Sequence, residues 1–246
     1  MKPFADRFEQ KMGESFRITM ESGRKVDLPK LLENLKGQLT VAITQSGLKS
    51  GGEPGVVVLL DARDRKAGIK KEVDRFLDAL RDSGETVETQ TINGAEFRAL
   101  KLGQAEAKPP GKKGSDRILI GMVDSLLILG NEPEVIGSIV SRMKGELKTS
   151  LAGQALFQQD QKRMFEKSMF FGWINMKGFM DLILAQIKDQ QNEQQNLFAI
   201  SPDRILDAIG LKSLKTIAFA GDSLKEGSLM ELFIGVPFES RKGLFQ

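Results

Sequence analysis

Residues 116–144, DRILIGMVDSLLILGNEPEVIGSIVSRMK, decide how the rest of the chain is read. Ile118, Leu119, Ile120, Met122 and Val123 form one apolar run, and residues 126–129 form the next. Asp124 and Ser125 separate them, a two-residue polar break of the length tight hairpins use. Near-continuous apolar runs suit strands covered on both faces, although run length alone also fits a buried helix. Gly130 ends the second run. Asn131 then reads as a helix N-cap, its side-chain oxygen free to accept an orphan backbone N–H, with Glu134 as the reciprocal partner of a capping box. Pro133 falls in the first turn, where a missing N–H costs little. Val135, Ile136, Ile139, Val140 and Met143 follow at helical spacing and make one apolar face.

Outward from this stretch, the same strand-to-helix step recurs at 56–80 and 169–187. In the first, Asp64 is the expected cap, and Ile69, Val73, Phe76, Leu77 and Leu80 form the buried stripe up to Gly84. In the second, residues 169–175 read as a strand. Residues 177–188 read as a helix with Phe179, Met180, Ile183, Leu184 and Ile187 on one side. Asn93-Gly94, between apolar runs, is the strongest hairpin signal, because both residues accept positive φ. Residues 39–44 read as a strand and 150–165 as one or two short helices with Leu156, Phe157, Met164 and Phe165 inward. The chain closes on strands at 216–220 and 230–236 around the polar turn GDSLKEGS. Helices are further expected over 1–12, from Asp27, and from Ser201 with Pro202 in its first turn. The fold class is α+β: a largely antiparallel sheet with helices mostly on one face, built from repeated strand-hairpin-helix units. All 246 residues are read as one domain, with pseudo-repeat halves of about 1–113 and 114–246.

Hydrophobic residues at 40% and charged ones at 28% place the chain among globular proteins rather than disordered ones. No apolar run approaches the roughly 18 residues of a membrane helix. Net charge is +3, from 36 basic and 33 acidic residues. The basic residues are interspersed with acidic ones apart from Lys112-Lys113, so no concentrated face for nucleic acid is expected. The chain has no Cys, no His and no Tyr. Disulfides, thiolate nucleophiles, Cys/His zinc sites and His-based acid–base catalysis are excluded on residue type.

Several phrases, in order, resemble an uncharacterised bacterial family of extracytoplasmic α+β proteins. They are Leu35-Lys36-Gly37-Gln38; Val123-Asp124-Ser125-Leu126 with Asn131-Glu132-Pro133-Glu134; Ile174-Asn175-Met176; Ile209-Gly210-Leu211-Lys212-Ser213-Leu214; and Gly235-Val236-Pro237 with Arg241-Lys242-Gly243-Leu244. The family supplies no catalytic motif to carry over. The resemblance implies an envelope location, periplasm or cell surface, with envelope proteins as partners. It also implies a chain truncated at both ends, since such proteins carry a leader and continue past the closing strands.

Three stretches are candidates for chemistry. GLKSGG at 47–52 follows a strand but lacks the GK[ST] ending and the following helix of a phosphate loop, so it reads as loop. Asp61 and Asp64 stand at a strand's C-terminal end; spacing suggests no third ligand, and helix capping accounts for them better than a metal or an acid–base pair. The Met- and Phe-rich segment 164–180 holds the only Trp and could bind a hydrophobic ligand through Phe170, Trp173, Met176 and Met180, although a plain core uses the same residues. Ser15, Ser50 and Ser150 have no activating base in view. The expectation is a non-enzymatic binding or scaffolding module of the bacterial cell envelope, with no cofactor, no metal and no catalytic residue. A lipid carrier near Trp173 is the first alternative, and a carboxylate-based hydrolase the last.

Overall fold

A computed structural model describes residues 18–19, 25–26, 38–46, 54–101, 117–164, 168–191, 207, 210–224 and 227–236. The helices expected over 1–12 and from Asp27, and most of that begun at Ser201, lie outside the described residues. Among the described residues, eleven strands are β1 (Ile18–Thr19), β2 (Lys25–Val26), β3 (Leu39–Thr44), β4 (Gly55–Asp61), β5 (Val87–Ile92), β6 (Ala95–Lys101), β7 (Arg117–Val123), β8 (Leu126–Gly130), β9 (Phe170–Asn175), β10 (Thr216–Leu224) and β11 (Gly227–Gly235). Four α-helices among the described residues are α1 (Lys66–Asp82), α2 (Pro133–Met143), α3 (Ala155–Arg163) and α4 (Met176–Gln191). The fold class is α+β, and the chain divides into two compact units, residues 1–148 and 149–246.

The first unit holds a six-stranded sheet in the order β3-β4-β8-β7-β6-β5, every neighbour antiparallel. β6 pairs with β7 from Phe97 opposite Gly121 to Lys101 opposite Arg117. Both expected hairpins form, with Val123 opposite Leu126 and Ile92 opposite Ala95. Asn93 and Gly94 take φ of 47° and 76°, and Asp124 takes 52°, the left-handed region that a primed two-residue turn demands. A separate two-stranded pair joins β1 to β2.

Alternate residues of the central strands feed two different cores. Leu60, Leu100, Ile120 and Leu127 pack with Ile69, Val73, Leu77 and Leu80 of α1. Val57, Phe97, Leu119 and Ile128 pack with Ile136 and Val140 of α2. Successive strand residues point to opposite faces, so α1 and α2 cover opposite faces of this sheet. The expectation of helices mostly on one face therefore does not describe this unit. The reason lies in the apolar runs themselves: β7 and β8 are apolar on both sides, and each side must be covered. The repeated unit fares similarly. β4 and β8 are antiparallel neighbours with helices on opposite faces, and their hairpin partners β3 and β7 lie on opposite flanks. The two hairpin–helix arrangements are mirror-related, so no rotation superposes one on the other.

α1 follows its expected stripe, with Ile69, Val73, Leu77 and Leu80 buried. Each such side chain contributes about 1.5–3 kcal/mol by leaving water. Gly84, at φ 88°, closes the helix while the Glu85 N–H donates to the Leu80 carbonyl at 3.0 Å, the six-to-one bond of a Schellman end.

The second unit contains a three-stranded sheet, β11-β10-β9, all antiparallel. Ala218 and Ala220 of the middle strand are fully buried between larger neighbours, Ala218 standing opposite both Trp173 and Phe233. Residues 221–224 and 227–228, expected in a turn, are instead strand: the ladder continues until Leu224 faces Gly227. Backbone pairing is indifferent to side-chain polarity on a solvated face, so a polar composition hid four further pairs. Asn175 caps α4, its Oδ1 accepting the Gly178 N–H at 3.2 Å. Met143, Leu156 and Phe179, expected inward, are exposed at 37%, 43% and 42%. They sit at helix ends or at the margin of the apolar stripe.

Candidate functional site

Phe170 and Trp173 are three residues apart on β9 and so face opposite sides of its sheet. They cannot line one pocket. Trp173 donates from Nε1 to Asp160 Oδ2 at 3.0 Å, and Phe157 meets it edge-on with ring centres 5.5 Å apart. Phe157 meets Phe171 in the same way at 5.7 Å. The Asp160 carboxylate is buried, with 3% of the residue exposed, and the indole N–H offsets part of the cost of burying it. Sequence reading missed Asp160 altogether, because a lone acid among Gln and Lys on a helix looks solvated. Phe170, 41% exposed, lies across the strand from Gly221, where its ring fills the space a β-carbon would need. Phe219 covers Gly172 in the same way, and in the first unit Phe97 covers Gly121. Met176 and Met180 are buried residues of α4.

Of the two aspartates expected at the end of β4, Asp61 braces the corner. Asp61 Oδ1 accepts the Arg63 backbone N–H at 3.0 Å and the Ser125 hydroxyl at 3.1 Å. These bonds, the backbone one first, hold its carboxyl below the usual carboxylate range; the nearby Arg63 guanidinium adds to the effect. Arg63 itself sits at φ 44°, a left-handed conformation that costs a non-glycine residue energy. Asp64 lies in the 3-10 turn Arg63–Arg65 and does not cap α1, whose N-cap is Arg65 with no side-chain bond. Asn131 is likewise not a cap. Its Oδ1 accepts the Val56 N–H at 2.7 Å and its Nδ2 donates to the Pro54 carbonyl at 3.1 Å, while Glu132 occupies the N-cap position of α2. GLKSGG at 47–52 lies outside the described residues.

An open depression of about 560 Å³ lies between the β5–β6 turn and α2, lined by Asn93, Ser138, Ser141 and Glu146 among others. Three of these side chains, Asn93, Ser141 and Glu146, bond in a chain. Asn93 Nδ2 donates to the Gly137 carbonyl at 2.9 Å and to Ser141 Oγ at 3.0 Å, and Ser141 donates to Glu146 at 2.8 Å. This chain of bonds ties the hairpin tip to the helix. Among the described residues no buried side-chain polar atom lacks a partner, and no three acidic side chains are grouped to hold a metal.

What is left open is backbone. β3 is an edge of the six-stranded sheet. The Gln38 carbonyl accepts the Asp61 N–H at 3.1 Å. Alternation then directs Thr40, Ala42 and Thr44 toward β4, and Leu39, Val41 and Ile43 outward. These three also carry the exposed side chains, at 39%, 50% and 66%. Among the described residues their outward N–H and C=O groups have no partner. The opposite edge is polar, with Glu88 of β5 paired to Arg117 at 3.2 Å. In the second unit β11 is also an edge, and the Lys215 N–H bond to Gly235 directs Met230, Leu232 and Ile234 outward. They are exposed at 71%, 65% and 49%. No helix among the described residues is long and apolar enough to cross a membrane. Compared with protein-family models, with curated proteins and with solved structures, the chain matches none.

Proposed function

We propose that this chain is a non-enzymatic binding or scaffolding module of the bacterial cell envelope, located outside the cytoplasm, and that it binds by adding a strand to an open sheet edge. One observation carries the binding mode: among the described residues, the outward positions of β3 combine backbone groups that have no partner with exposed aliphatic side chains. An edge strand is normally blunted by Lys, Pro or a bulge. β3, LTVAIT, has no charge and no proline. Strand addition takes affinity from main-chain bonds and selectivity from alternate side chains, and β3 offers both. The envelope location rests on the family resemblance.

A peptide copying residues 38–44, with two lysines appended for solubility, tests the binding mode when titrated into the full chain. The Leu39, Val41 and Ile43 amides are expected to gain protection from hydrogen exchange. If they exchange as freely with saturating peptide as without it, strand addition at β3 is wrong. The location is tested with Gly68→Cys, an exposed helix position where an added β-carbon meets nothing within 4 Å. The chain has no other cysteine. In the producing bacterium a sulfonated maleimide is expected to label it in intact cells; labelling only after lysis of the inner membrane contradicts the envelope reading.

A further inference from the structure

We propose that the strand β3 receives is β3 of a second copy of this chain, antiparallel, with Val41 on the two-fold axis. The inference rests on the strand-adding reading above and names its partner. Three features of β3 support self-pairing. Its outward backbone groups belong to Leu39, Val41 and Ile43, which are spaced evenly about Val41. Placing Val41 opposite Val41 puts Leu39 opposite Ile43 on both sides of the axis, and all three outward residues enter hydrogen-bonded pairs, about six new backbone bonds in all. The side chains agree with this register. The aliphatic stripe of one copy continues that of the other on the α1 face, while Thr40 faces Ala42 on the α2 face.

Charge completes the case. A two-fold axis sets the central residue of a self-pairing strand against its own copy, and each flanking residue diagonally near its own, so a charge at either place meets its like. β3 is neutral along its whole length. β11, the open edge of the other unit, carries Glu231. The seam is short and buries well under the roughly 1,200 Å² of a standard stable interface. Self-association is therefore weak and reversible in dilute solution and grows with local concentration, as on a membrane surface.

The absence of native cysteine makes the register directly readable. In full-length chains carrying single cysteines, Val41→Cys is expected to form a disulfide-linked dimer on mild oxidation. Cα atoms in a hydrogen-bonded antiparallel pair are about 5.5 Å apart, within disulfide reach. Leu39→Cys and Ile43→Cys are expected not to link alone but to link when mixed. Sedimentation of the wild-type chain up to about 1 mM should show a monomer–dimer equilibrium. Val41→Pro removes only an outward N–H and should weaken that equilibrium by about tenfold or more. Val41→Lys does the same by charge if the proline variant fails to fold. Leu232→Pro on β11 should leave the equilibrium unchanged. A wild-type chain that stays monomeric throughout, a dimer that Val41→Lys leaves intact, or links of Leu39→Cys to itself would overturn the proposal. If the chain is monomeric yet the peptide still protects the three amides, strand addition stands and only the second copy is lost; if neither occurs, both fail.

Discussion

Asn131 joins two segments that are far apart in sequence: its partner Val56 is 75 residues away. Replacing it with alanine leaves a backbone donor and a backbone acceptor at the start of β4 unpaired. Asn131→Ala should therefore cost about 1–3 kcal/mol in urea melts, whereas Glu134→Ala should stay within about 0.5 kcal/mol. A true capping box would make both losses comparable. The capping pattern was legible because it is local. The actual use of Asn131 was not, since its bond to a distant strand leaves no mark in spacing. Asp61 allows a pH test. Its carboxyl is held below the usual range by the Arg63 N–H and the Ser125 hydroxyl, so the charged form is favoured by folding. That contribution is fully present above the unfolded carboxylate value, about pH 4, and is lost as pH falls through the lower folded value. The wild-type Tm should exceed that of Asp61→Asn at pH 7, and the gap should close on acidification below about pH 4. A gap that widens in acid would contradict this assignment.

Phe rings lie over cross-strand glycines in both the six-stranded and the three-stranded sheet. Phe97 is fully buried, stands opposite Gly121, and fills the site a β-carbon there would take. Gly121→Ala should cost about 1–3 kcal/mol by overpacking, and Phe97→Ala about 3–5 kcal/mol by leaving a cavity. The double variant should be less damaged than the sum, because the added methyl enters the vacated space; strict additivity would disprove the contact. None of the three Phe–Gly pairs could be read from sequence, since each joins different strands whose register was unknown. The hairpins at Asn93-Gly94 and Asp124-Ser125 were legible, as was the stripe of α1, because turn chemistry and helical period are written within a few residues. The distribution of helices was only half legible. The two-sided apolar runs of β7 and β8 already required cover on both faces, but which helix served which face depended on strand order.

For the molecule as a whole, the α+β class could be read from the sequence and the candidate site could not. LTVAIT reads the same in a central strand as at an edge; only the sheet order β3-β4-β8-β7-β6-β5 makes it an edge. Conversely, the aromatic segment around Trp173 reads as a ligand site, whereas folding splits Phe170 and Trp173 between two faces and commits the indole N–H to Asp160. The two ends of the six-stranded sheet differ in kind: β5 carries a charged pair, and β3 is uncharged and, among the described residues, uncovered. That asymmetry underlies the account of binding. Its most direct test is residue-resolved amide exchange of the dilute wild-type chain along β3. Thr40, Ala42 and Thr44 should be protected by β4, while Leu39, Val41 and Ile43 exchange freely. Uniform protection of all six amides at high dilution would mean that the edge is already covered, and would contradict the account.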